Sequence, residues 1–144
     1  MKVSDILHAK GNTVTTIRPE APVSTVVRRL RLEGIGALVV SEDAVQVVGI
    51  ISERDIVRGL AEVGPEILDR RVLDLMTSPV KTCRLDANIK DIMAVMTRSR
   101  IRHLPVVEDG RLVGIVSIGD VVKNRLEEVE LEADVLRTAY IASH

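Results

Sequence analysis

The sequence predicts an α/β (α+β) fold, in which two copies of a β-α-β-β-α unit pack as a pseudo-twofold pair and an extended helix follows at the C-terminus. Three observations predict it. First, Gly49-Ile-Ile-Ser-Glu-Arg-Asp55 returns as Gly114-Ile-Val-Ser-Ile-Gly-Asp120, each an apolar run stopped by a serine with an acid three places on. Second, the match continues backward: Ile35 to Asp43 aligns with Ile101 to Asp109, Thr16 to Ala21 with Thr82 to Ala87, and Val3 to Leu7 with Val72 to Met76. The repeat therefore spans nearly the whole chain. Third, the 144 residues hold no Trp, no Phe and a single Tyr, so the core must be aliphatic, and its β-branched share favours strands.

Each element follows in order. Val14 to Ile17 and Val80 to Cys83 read as short opening strands, the second entered through Ser78-Pro79, which disfavours helix. A helix over Val23 to Glu33 carries Val23, Val26, Val27 and Leu30 on one face and ends at Gly34. Its counterpart, Ile89 to Arg98, repeats the pattern with Ile89, Ile92, Met93 and Met96. Strands over Ala37 to Ser41 and His103 to Val107 come next, and Asp109-Gly110 is the pair that a tight hairpin favours. Val47 to Ile51 and Leu112 to Val116 return, and a second helix closes each unit.

The units are assigned to residues 1–66 and 67–126, with a helical extension over 127–144. A unit of about 60 residues has a weak core by itself, so two of them are expected to pair across their open sheet faces. The cleft between such units is where small-molecule pockets tend to lie.

Composition narrows the partners. A formal charge of −1 leaves no broad basic field, and with one aromatic residue there is no stacking platform, so nucleic acid is not an expected ligand. Cys83 is alone, which excludes an internal disulfide and the usual zinc spacings and fits a reducing compartment. His8, His103 and His144 are far apart in sequence. The N-terminal residues turn polar too early for a signal peptide, and no apolar run reaches the roughly 18 residues of a membrane span. A soluble cytoplasmic protein is expected, with no membrane partner.

The two junctions carry the chemistry. Ser52 with Asp55, and Ser117 with Asp120, are capping boxes on the plain structural reading. The functional reading uses the same groups: a helix N-terminus with free N–H groups and a hydroxyl holds an anion such as phosphate. A first-turn carboxylate suits the paired hydroxyls of a ribose, and Arg54 could add a charge-assisted phosphate contact. Gly49 and Gly114 sit within strands, where glycine marks the close approach of another backbone or a ligand.

Taken together, GIISERD, GIVSIGD, IRHLPVVEDGRLVGIVS at 101–117 and VLDLMTSPVKT at 72–82 resemble the CBS (cystathionine beta-synthase type) domain family, in its stand-alone tandem form, the Bateman module. The resemblance covers both copies. It implies a sensor that binds adenosine-containing molecules in the cleft: AMP first, and also ADP, ATP, NADH or S-adenosylmethionine. It implies Asp55 and Asp120 as ribose acids, Ser52 and Ser117 as the small hydroxyl residues beside them, and Thr16 and Thr82 near the base and phosphate. Arg102, His103 and Pro105 match a pocket-lining segment that supplies cations; its first-copy equivalent, around Ala37, has no charge and no proline. The two sites are therefore expected to be unequal.

After Asp120 the second closing helix does not stop where the first does, at Gly64-Pro65. Val122, Leu126, Val129, Ala133, Leu136 and Tyr140 form a heptad seam with no Gly or Pro through His144. The arm is expected to pack on a second subunit or back across the partner unit, or else on a protein partner; the crowded acids Glu127, Glu128, Glu130, Glu132 and Asp134 weigh against a parallel self-pair and favour a basic face. Three functions are compared. The leading one is a non-catalytic adenine-nucleotide regulatory module, expected to be a homodimer. The alternative is a scaffold that presents the C-terminal helix to a protein partner without ligand response. An enzyme fits worst, since no nucleophile-base spacing, P-loop, dinucleotide fingerprint or metal cluster appears.

Overall fold

A computed structural model describes residues 1–143; His144, the end of the extension, lies outside the described residues. In chain order the elements are α1 (Val3–Lys10), β1 (Thr16–Ile17), α2 (Val23–Glu33), β2 (Ala37–Val40), β3 (Gly49–Ser52) and α3 (Glu53–Glu62). A 3-10 turn at Pro65–Asp69 leads to α4 (Val72–Leu75), α5 (Ile89–Ser99), β4 (His103–Glu108), β5 (Arg111–Ser117) and α6 (Ile118–Ser143). β1 runs parallel to β2 and β2 antiparallel to β3, while β4 and β5 form an antiparallel pair. The mixed α+β architecture and the long terminal helix are as the sequence predicts. Among the described residues no helix is long and apolar enough to cross a membrane.

The repeat shows in details of the backbone. Gly34, in the left-handed region at φ 63°, ends α2, and Arg100 takes the same conformation at φ 54° to end α5. Asp109 and Gly110, at φ 50° and 76°, make the tight hairpin between β4 and β5. The first unit, one residue longer here, uses Asp43 instead: its Oδ1 accepts from the N–H groups of Val45 and Gln46, both at 2.9 Å. These bonds hold the Asp43 carboxyl below the usual carboxylate range.

One predicted strand is largely lost. Of Val80 to Cys83 only Cys83 bridges the sheet: its N–H donates to Pro105 O at 3.0 Å and its carbonyl accepts from Val107 N at 2.8 Å. In the first unit the ladder runs one step further, with Val39 N donating to Thr15 O at 3.3 Å. The equivalent donor in the second unit is Pro105, which has no N–H, so the pairing cannot extend toward Lys81. Val14 and Thr15 also fall outside β1, which is two residues long.

The sequence order of strand, helix, strand, strand, helix missed a leading helix in each copy, and these helices change the packing. Val3, Ile6 and Leu7 of α1 are buried with Ile89, Ile92, Met96, Leu104, Val106, Val116 and Val121 of the second copy. Val72 of α4, together with Ile67, is buried with Val23, Val26, Leu30, Leu38, Val40 and Ile51 of the first. Each copy thus lends its opening segment to the core of the other. The cores are wholly aliphatic apart from Cys83, and burial pushes that thiol up to about 12. The one fully buried polar residue among those described, Ser41, donates to Gln46 O at 2.6 Å.

Candidate functional site

The two strand-to-helix junctions are built alike. Ser52 ends β3 in an extended conformation and caps α3; Ser52 N donates to Asp55 Oδ2 at 2.9 Å, and Asp55 N donates back to Ser52 Oγ at 3.4 Å. In the second copy Ser117 N donates to Asp120 Oδ2 at 2.9 Å, and Asp120 N to Ser117 Oγ at 3.1 Å. Both predicted capping boxes therefore form, and each fixes its carboxylate at the mouth of a helix N-terminus.

The crossed leading segments complete each corner. Thr77, just past α4, pairs with Ile50 through two backbone bonds and donates its hydroxyl to Asp55 Oδ1 at 3.0 Å. Lys10, the last residue of α1, donates to Asp120 Oδ2 at 2.7 Å and to Ile115 O at 3.0 Å. Gly49 and Gly114 make room for these segments. A Cβ on Gly49 would stand 2.7 Å from Met76 Sδ and 3.0 Å from Thr77 O, and one on Gly114 would stand 2.6 Å from Leu7 Cδ1. What the strand glycines admit is the chain itself.

The lining segment and the junction of one copy lie side by side: Ala37 is opposite Ser52 across β2 and β3, and His103 is opposite Ser117 across β4 and β5. Gly36 O accepts from Glu53 N at 3.0 Å, and Arg102 O accepts from Ile118 N at 2.8 Å, the same bond in both copies. The copies then meet at His103, whose ring lies against Gly36, with Cε1 3.1 Å from where a Cβ there would sit. Glu53 Oε1 borders the same point at 3.5 Å. The missing side chain at Gly36 is what lets a second-copy imidazole reach the first-copy junction.

The electrostatics differ between the corners. Burial lowers the pKa of His103, with Lys10 and Arg102 acting the same way and Glu53 and Asp120 opposing them. For Asp120 burial works to raise the pKa, but the hydrogen bonds from Lys10 and from Ser117 outweigh it and hold the carboxyl below the usual range. Lys10 bonds Asp120 directly and the half-buried His103 lies close enough to feel its charge, while the exposed Arg102 acts on His103. Asp120 uses only Oδ2 in the hydrogen bonds found among the described residues, whereas both oxygens of Asp55 are engaged. Arg54 is drawn away from the first corner: its Nη1 donates to Arg100 O of the second copy at 2.6 Å.

Of the residues singled out from sequence, Ser52 with Asp55, and Ser117 with Asp120 and His103, come together. Pro105 and Ala37 are buried in their strands, and Thr16 is half-buried opposite Val39. Thr82 is exposed, held near Pro105 only through the Cys83 bridge. Lys10, Thr77, Gly36 and Glu53 were missed. The alignment of Val3–Leu7 with Val72–Met76 was the available signal for the first two, but it does not say that these segments cross over.

The family model for the CBS domain matches residues 3–62 and 72–127. The fold superposes on a CBS-domain containing protein from Agrobacterium tumefaciens with a TM-score of 0.83 at 42% identity, covering 87% of this chain and 99% of that one. A CBS domain protein from Pyrobaculum aerophilum complexed with AMP matches with a TM-score of 0.76 at 27% identity, covering 92% and 99%. A mitochondrial CBS domain-containing protein of Arabidopsis thaliana is 34% identical, over 96% of this chain and 71% of its own length.

Proposed function

This chain belongs to the CBS domain family, and from that premise we propose that it is a non-catalytic regulatory module that binds an adenosine-containing nucleotide, AMP foremost, between its two repeats. One observation carries the proposal. Asp120 is fixed at a helix N-terminus with only Oδ2 engaged in hydrogen bonds among the described residues, bonded by Lys10 and close to His103, on which Arg102 also acts. A carboxylate for the ribose hydroxyls and cations for the phosphate within one corner fit a nucleoside phosphate better than a free nucleoside. The complex of the Pyrobaculum aerophilum protein with AMP supports the same ligand class. The Asp55 corner, with both oxygens engaged and Arg54 withdrawn, is the weaker site; Thr16, Ala37, Thr82 and Pro105 line the pair in this reading.

The same reading makes the protein a cytoplasmic homodimer, supported by the exposed apolar side chains Val57, Leu60 and Val63 at the end of α3 and by a single inert thiol. A second reading, a scaffold that presents α6 to another protein, draws on the apolar face of that helix.

Thermal unfolding of ligand-stripped protein with AMP, ADP, ATP, NADH and S-adenosylmethionine tests the proposal. At a hundredfold excess over Kd the bound form gains about 2.7 kcal/mol. Mass spectrometry of small molecules released from freshly purified protein identifies the ligand without a prior choice. If no adenosine compound moves the melting curve, the module is not a nucleotide sensor and the scaffold reading replaces it.

A further inference from the structure

The C-terminal half of α6 has an apolar face that the described residues leave largely exposed. Val121 buries the start of the helix, and Glu128 is tied down by the α-amino group of Met1 at 2.6 Å and by Arg125. Beyond that point the heptad seam is largely exposed: Val129 is 44% exposed and Leu136 71%, continuing from Leu126 at 58%. A single helix with such a stripe gains little stability from its own length in water. The family match stops at residue 127, so most of this seam lies beyond it.

We propose that the seam Val122, Leu126, Val129, Ala133, Leu136 and Tyr140 pairs with the same seam of a second copy as a parallel, in-register two-stranded coiled coil. Charge complementarity fits a second copy in parallel register. Arg125 and Glu132 flank the seam on one side, and Lys123, Glu130 and Arg137 on the other. In a parallel pair a flanking residue on one helix meets the residue five places on in its partner. Arg125, which pairs with Glu128 and borders Glu132 in its own helix, then also faces Glu130, and Glu132 faces Arg137, each contact occurring twice by symmetry.

Laid antiparallel, with Leu126 against Leu136, the same helices bring Lys123 against Arg137, Glu130 against Glu130 and Glu132 against Glu132. All of these repel. The acids whose crowding weighs against a parallel pair in the bare sequence mostly lie elsewhere: Glu127 and Asp134 fall on the outer face of the helix, and Glu128 faces the body of the protein. Only Glu130 and Glu132 flank the seam, and each has an arginine to meet.

Sedimentation and cross-linking of the full chain test this. The expected result is a concentration-dependent dimer whose dissociation constant rises at least about tenfold in Leu136→Glu, a site exposed enough to leave the fold intact. Glu132→Arg weakens the dimer by about tenfold, and Glu132→Arg with Arg137→Glu restores it. Leu136→Cys forms a disulfide with itself under mild oxidation, while a mixture of Leu126→Cys and Leu136→Cys gives no mixed disulfide; buried Cys83 does not compete. A monomer throughout, a mixed disulfide, or a dimer unmoved by Leu136→Glu overturns the proposal. None of these readouts involves nucleotide, so they stand apart from the ligand reading.

Discussion

Lys10 Nζ lies 2.7 Å from Asp120 Oδ2, so the last residue of the first helix neutralises an acid near the far end of the repeat. In the proposed reading, ribose hydroxyls take the carboxylate and leave the ammonium to the phosphate. Lys10→Met is therefore expected to weaken AMP binding by about tenfold, the worth of one charge-assisted bond, and to leave adenosine nearly unchanged. Calorimetric titration of both ligands measures the difference; equal losses would remove Lys10 from phosphate recognition.

The two junction acids should separate. Asp120→Asn keeps an acceptor for Ser117 N, so its cost in helix capping stays within about 1 kcal/mol. It is nevertheless expected to remove most of the AMP-induced rise in Tm. Asp55→Asn should leave the greater part, because both oxygens of that carboxylate are already hydrogen-bonded by Ser52 and Thr77. If the two variants lose the same amount, the sites are equivalent.

Acid sensitivity has two parts of known sign. The folded pKa of His103 is below its ordinary 6.5, so the unfolded chain binds the proton more readily. Stability is full above that value and falls as pH drops through it toward the folded pKa. Asp120 is held below its ordinary 3.8, so its contribution is present above 3.8 and is lost as pH falls further. Denaturation midpoints between about pH 3 and 7 should therefore lose their upper slope in His103→Gln and part of their lower slope in Lys10→Met.

Crossed packing makes a strong claim about the cores. Ile6 is fully buried among second-copy side chains, so Ile6→Ala should cost about 2–5 kcal/mol. Amide exchange should quicken in α5, β4 and β5 before it does in α2 and β2, although residue 6 belongs to the first copy. Faster exchange confined to the first copy would contradict the crossover.

The strand glycines grade the tightness of the same crossing. Gly49→Ala meets Thr77 O, which the Ile50 ladder holds in place, whereas Gly114→Ala meets only the end of the Leu7 side chain. Both variants should destabilise, within the roughly 1–3 kcal/mol of overpacking, and Gly49→Ala the more. Urea unfolding of the pair gives the order.

Much of this was legible in the sequence because it is local. The bounds of α2, the Asp109-Gly110 hairpin and both Ser-Asp capping boxes depend on residues within a few places of one another. The missing ladder step at Pro105 was legible in principle, since a proline opposite a predicted strand forfeits a donor. The contacts that assemble the site were not: Lys10 with Asp120, Thr77 with Asp55 and His103 with Gly36 join segments that periodicity treats separately. Repetition shows that two things are alike, not which half each one joins.

The exchange of opening helices also sets an order of events at the ribosome. Val3, Ile6 and Leu7 are made well before the strands and helices that receive them, which run through Val121. Ile67 and Val72, by contrast, reach a waiting first half as soon as they appear. During synthesis α1 thus waits for its seat until Val121 has been made, and its apolar side stays open in that interval.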